Sequence, residues 1–106
     1  MSPKAAAVLA NLVAAGESAD PDYEDEIVCE RRSCWIGTQR VSPAALDELL
    51  RLVALRDVSE GAAVQRYRIN DVGKALHRNP AIEADILRAI STGGSFTIQN
   101  DQVVPI

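Results

Sequence analysis

Aromatic side chains are scarce in this chain: Trp35, Tyr23, Tyr67 and Phe96 are all that its 106 residues contain. The core must therefore be built mainly from Leu, Ile, Val and Ala. Histidine is scarcer still, with His77 alone. A catalytic histidine needs a nucleophile on one side and an orienting acid on the other, and no serine or cysteine here lies in such a motif. His77 is expected at the surface, where its charged form suits a helix C-terminus. Cys29 and Cys34 are the only cysteines. Together with His77 they offer at most three metal ligands, at no standard spacing. They are expected as partly buried free thiols, although a bridge is conceivable if they face each other across an Arg31-Arg32 turn.

Other absences narrow the functions further. No apolar run approaches the roughly 20 residues that cross a bilayer, so no membrane partner is expected. Gly93-Gly94 follows a helix instead of opening one, which excludes a phosphate loop. The acidic residues Asp20, Asp22, Glu24, Asp25 and Glu26 lack the alternating ligands and central glycine of a calcium loop. No catalytic residue, cofactor or metal is expected, and the chain is not expected to be an enzyme. The alanine-rich stretch ending near Ala15 resembles a short signal core. Ser2-Pro3 is nevertheless a helix start, and Val8, Leu9, Leu12 and Val13 recur at helical spacing, so a helix in a cytoplasmic protein is the expectation.

What is present is a charge asymmetry. The net charge is −4, yet residues 1–30 hold one lysine against seven acids, while residues 31–78 hold nine basic against five acidic residues. An acidic segment thus precedes a basic middle, which bears on partners rather than on fold.

The elements can be placed by pattern. A first helix covers residues 1–16, and an acidic linker covers 17–26. Ile27 to Cys29 and Cys34 to Ile36 are short strands around a charged turn, and Gly37 to Arg40 is a polar loop. Ser42-Pro43 opens a helix running to Val53. In it Leu46, Leu49, Leu50 and Val53 form the buried stripe, with Asp47, Glu48 and Arg51 outside it. Ala54 to Val58 and Val64 to Ile69 are strands joined through Gly61. In the second, Tyr67 and Ile69 share one face, and Arg66 and Arg68 the other. Asn70 caps a short helix from Asp71 to about Arg78. Asn79-Pro80 ends it and opens another, with Ile82, Ile86, Leu87 and Ile90 as its stripe. Phe96 to Val103 closes the chain as a hairpin turning at Asn100-Asp101, with Ile98 opposite Val103. Trp35 is expected as a core anchor. The expectation is a single α+β domain over residues 1–106, with about four helices and two short hairpins.

The run from Val41 to Leu76 resembles the core of a winged helix-turn-helix domain. Tyr67, Ile69, Asn70, Asp71, Gly73, Lys74, Ala75 and Leu76 match a final wing strand leading into the next helix. Trp35, Val41, Ser42, Ala45 and Leu46 resemble the entrance to the recognition helix. The chain is similar in this to small alphaproteobacterial and phage proteins of no assigned activity. The resemblance implies a winged-helix-like core over residues 27–78, followed by a C-terminal helix and hairpin over 79–106. It implies a small DNA-binding, transcription-regulating protein that meets double-stranded DNA through Arg66 and Arg68 on the wing and Arg40 and Arg51 beside the helix. Two features depart from the family. Only one helix precedes the recognition helix where two are usual, and Asp47 and Glu48 are poor groove readers. The alternative is a protein-interaction module without DNA binding, docking through its acidic segment or a strand edge. Under either reading a homodimer through Ala6, Leu9 and Val13 of the first helix is an expectation.

Overall fold

The structure is a computed structural model that describes residues 1–17 and 25–106. The segment 18–24, which holds most of the expected acidic linker, lies outside the described residues. In chain order the elements are α1 (Pro3–Glu17), β1 (Glu26–Glu30), β2 (Ser33–Ile36), β3 (Gln39–Val41), α2 (Pro43–Arg51), β4 (Leu55–Asp57) and β5 (Gln65–Ile69). There follow α3 (Asp71–Arg78), a single 3-10 turn (Pro80–Ile82), α4 (Glu83–Ser91), β6 (Phe96–Gln99) and β7 (Gln102–Pro105). The expected α+β class with four helices holds. The strands are more numerous than two hairpins supply. Five form one antiparallel sheet in the order β3-β2-β1-β5-β4, and β6-β7 form a separate hairpin.

Burial alternates along the strands, so among the described residues the sheet has one packed face and one open face. Ile27, Cys29, Cys34, Val41, Leu55 and Tyr67 point inward. They share one core with Leu9 and Leu12 of α1, Leu49 of α2, Leu76 of α3 and Ile86 of α4. Helices α2 and α3 both pack on α1. Leu9 is therefore wholly buried and cannot form the dimer face expected of α1.

The caps explain where helices begin and end. The Ser42 hydroxyl accepts from the Ala45 amide and starts α2 ahead of Pro43, as the sequence indicates. The helix ends at Arg51, before the expected Val53. There the Val53 amide bonds back to the Leu50 carbonyl, and the Ala54 amide to the Leu49 carbonyl. This is the Schellman pattern, with Val53 at φ +50° in the position that usually takes glycine. At the end of α4, Gly93 takes that same position at φ +68°. A β-branched residue in this region is strained. Asn70 helps to hold Val53 there: the Asn70 Nδ2 donates to the Val53 carbonyl at 2.7 Å, while its Oδ1 accepts from the Gly73 amide at 2.9 Å and caps α3.

Cys29 and Cys34 are bridged, which corrects the expectation of free thiols. They are directly opposed in the β1–β2 register. The two residues between these strands, Arg31 and Arg32, both have positive φ, at 50° and 69°, the geometry of a two-residue hairpin turn. Closing so short a loop stabilises the fold by about 2 kcal/mol in the chain-entropy account. The double variant Cys29→Ala/Cys34→Ala should lower the unfolding free energy by about that amount in urea titration; an unchanged midpoint would contradict it.

Four other expectations need correction. Leu50 and Val53 are exposed, so Ala45, Leu46 and Leu49 form the buried stripe of α2 and Val53 lies beyond its end. Residues 39–41 form the edge strand β3, not a loop. Trp35 points to the open face and is 40% exposed, so it is no core anchor. Leu87 and Ile90 on α4 are exposed, leaving Ile82 and Ile86 to face the core. No helix among the described residues is long and apolar enough to cross a membrane.

Candidate nucleic-acid interface

The open face of the sheet collects most of the residues that the sequence singles out. Register places Arg40 opposite Trp35, Trp35 opposite Val28, and Val28 opposite Arg66. This forms one row across β3, β2, β1 and β5. The neighbouring row runs Glu26, Arg68, Arg56 across β1, β5 and β4. The strands thus offer four arginines against Glu26 and Glu30 on this face, and the Arg31-Arg32 turn lies at its margin. The Arg40 guanidinium sits 5.9 Å from the centre of the Trp35 ring, within cation–π range. Beside Trp35 is an open depression of about 570 Å³, lined also by Val28, Glu30, Arg31, Gly37 and Arg66.

Arg66 and Arg68 are positioned by carboxylates. The Arg66 Nη1 donates to Glu26 at 3.1 Å, and the Arg68 Nε to the other oxygen of the same carboxylate at 3.1 Å. The Arg68 Nη2 donates to Asp25 at 3.3 Å. Both arginines are about half exposed, so these pairs contribute little to stability. Each guanidinium keeps further donors to offer. Asp25 and Glu26 belong to the segment expected as an acidic linker, and they lie directly on the basic face. Glu26 is itself part of β1, and Glu17 is part of α1, so the linker is shorter at both ends than residues 17–26.

Of the four expected DNA-contacting residues, Arg40, Arg66 and Arg68 come together on this face. Arg51 does not. It lies on α2, which packs on the other side of the sheet through Ala45, Leu46 and Leu49. Strand β5 does not project as a wing arm. It is paired on both sides, with β1 and with β4. Two strands, β2 and β3, stand between β1 and α2, where the winged-helix family has its second helix. Trp35 is the addition the structure makes to the site, while Arg56, an arginine of the basic middle segment, joins the same face opposite Arg68. Simple alternation with the inward Cys34 would have placed Trp35 outward.

Helix α2 offers little for a DNA groove. Asp47 is exposed, and Glu48 is occupied with holding the start of α1. The Ser2 amide and hydroxyl both donate to the Glu48 carboxylate, at 2.7 and 2.6 Å. These hydrogen bonds, with minor help from the Met1 amine and Arg51, lower the Glu48 pKa below the ordinary carboxylate range. A depressed carboxylate stabilises the fold above its unfolded-state pKa, and this contribution is lost as pH falls through its folded pKa. The melting temperature of Glu48→Gln should therefore trail that of the natural chain at neutral pH, and the gap should close on acidification below about pH 4. A gap independent of pH would contradict the assignment.

The remaining candidates stay apart from this face. His77 is exposed on α3. Among the described residues no cluster of three or more His, Cys, Asp or Glu side chains is placed to hold a metal. Arg78 pairs with Asp101 of the C-terminal turn, which lowers the Asp101 pKa and ties α3 to the terminal hairpin. No protein-family model, curated protein or solved structure matches the chain.

Proposed function

We propose that this chain is a small DNA-binding domain, serving transcription regulation as the winged-helix resemblance implies, and that it binds through the open sheet face and not through α2. The observation that carries this is the gathering of Arg40, Arg56, Arg66 and Arg68 on the one sheet face that also carries the exposed Trp35. Arginines on an uncovered surface hold phosphates and release counterions. Asp25 and Glu26 act as an internal screen that a phosphate must displace. The address that goes with this reading is the cytoplasm, where the Cys29–Cys34 pair would be kept reduced, so both redox forms belong in the assay.

The test is fluorescence anisotropy with labelled mixed-sequence DNA across a salt series. About three phosphate contacts predict a 20- to 40-fold loss of affinity between about 50 and 200 mM salt. Glu26→Gln frees both Arg66 and Arg68 and should raise the affinity several-fold. Absence of binding at low salt would remove the proposal. A second reading, protein docking on the same scaffold, is favoured by the exposed Leu87 and Ile90 on α4. Binding that ignores salt, or no DNA binding at all, would turn attention to that surface.

A further inference from the structure

We infer that the DNA held by this face is single-stranded, with one base stacked against Trp35 and the phosphates on either side held by Arg40 and Arg66. The inference rests on the DNA-binding reading and specifies its ligand. Reading a duplex requires a helix or a two-stranded ribbon that enters a groove. The open face has neither, because β5 lies inside the sheet and α2 sits behind it with Asp47 outward. A sheet face instead suits a splayed strand, whose unstacked bases can lie on an aromatic ring.

Trp35 is placed for that role. It stands in the row Arg40–Trp35–Val28–Arg66. This row spans three inter-strand spacings, or about 14 Å. Arg40 thus lies over the ring from the adjacent strand and Arg66 stands two strands away beyond Val28, so a backbone passing along the row meets a cation on either side of the aromatic and aliphatic surface. Val28 supplies an apolar floor beside the ring. Glu30, on the rim of the same depression, repels phosphate and leaves that space to the base. The charge complementarity is thus sorted, with cations at the ends of the row and the aromatic and aliphatic surface between them. Stacking of this kind tolerates any base, so weak sequence preference is expected.

Trp35 is the only tryptophan, which gives the test a direct signal. A short mixed-sequence oligodeoxynucleotide and the duplex of the same sequence are titrated at low salt, following anisotropy and tryptophan emission. The single strand should bind about tenfold or more tightly than the duplex and quench the emission. Trp35→Ala should weaken single-strand binding by about tenfold or more, while Trp35→Phe retains most of it. Because Trp35 faces outward, Trp35→Ala should keep its circular dichroism. If it does not, the Phe variant and the natural emission still decide the matter. Equal or tighter duplex binding, or an unaffected Trp35→Ala, would overturn the inference. Duplex binding that depends on Arg66 and Arg68 would leave the DNA-binding reading standing, whereas failure of both nucleic acids would remove the two together.

Discussion

Gly73→Ala is expected to destabilise the protein by about 2–3 kcal/mol, although alanine is the better helix former by about 1 kcal/mol. The reason is space. A Cβ at Gly73 would lie 2.5 Å from the Ala54 carbonyl oxygen and 2.6 Å from the Ile69 Cγ1. The side chain of Ile69 could yield, but the carbonyl is backbone, and it is fixed by the Asn70 amide that donates to it at 3.2 Å. Helix α3 would have to lift away from the α2–β4 connection and carry Leu76 out of the core. At about 4–8 °C per kcal/mol, the melting temperature should fall by roughly 10–20 °C. Gly16 provides the contrast. A methyl group there would meet nothing within 4 Å, so Gly16→Ala should stabilise by about 0.4–1 kcal/mol. Equal effects at the two sites would contradict the packing role of Gly73. In the winged-helix resemblance this glycine belongs to the motif, and here a close helix–backbone approach requires it.

Arg66→Glu/Arg68→Glu should have the largest effect on binding. It removes two cations from the open face and leaves Glu26 beside two further carboxylates. DNA affinity at low salt should fall on the order of a hundredfold, and the log–log salt slope should flatten by about two units. Stability should change by no more than about 1 kcal/mol, because the pairs lost are exposed. Arg51→Glu should leave affinity nearly unchanged, since Arg51 lies behind the sheet. Anisotropy on the two variants side by side separates the sheet-face account from one centred on α2. A loss confined to Arg51→Glu would reverse the assignment.

Local signals are the legible part of this fold. Asn70 with Asp71 and the stripe that follows mark α3 at its observed ends, because a cap and a helical period act within a few residues. Ser42-Pro43 marks the start of α2 in the same way. Asn100-Asp101 marks the terminal turn, and Ile98 does pair with Val103. Alternation along β5 sorts Tyr67 from Arg66 and Arg68 as the structure does.

Pairing across long chain distances is not legible. Nothing local says that β1 joins β5, yet this pairing turns an expected wing into the interior of a five-stranded sheet. Strand β3 is hidden because its three residues include Gln39 and Arg40, which carry no apolar alternation. Leu87 and Ile90 have helical spacing but, among the described residues, no neighbour that covers them. Val53 ends α2 in a conformation that its side chain disfavours, so no residue preference announces it. Of the site, Arg40, Arg66 and Arg68 are found by charge. Trp35 escapes a reading by composition, which sends a large aromatic residue to the core against the alternation of its own strand.

The most direct test is an NMR titration of the isotope-labelled protein with a short single-stranded oligodeoxynucleotide. The account predicts that shift changes concentrate on Glu26–Glu30, Ser33–Ile36, Gln39–Val41 and Gln65–Ile69, with the Trp35 indole among the largest, while α2 and α4 stay still. Changes centred on Asp47 and Arg51 of α2, or on Leu87 and Ile90 of α4, would contradict it.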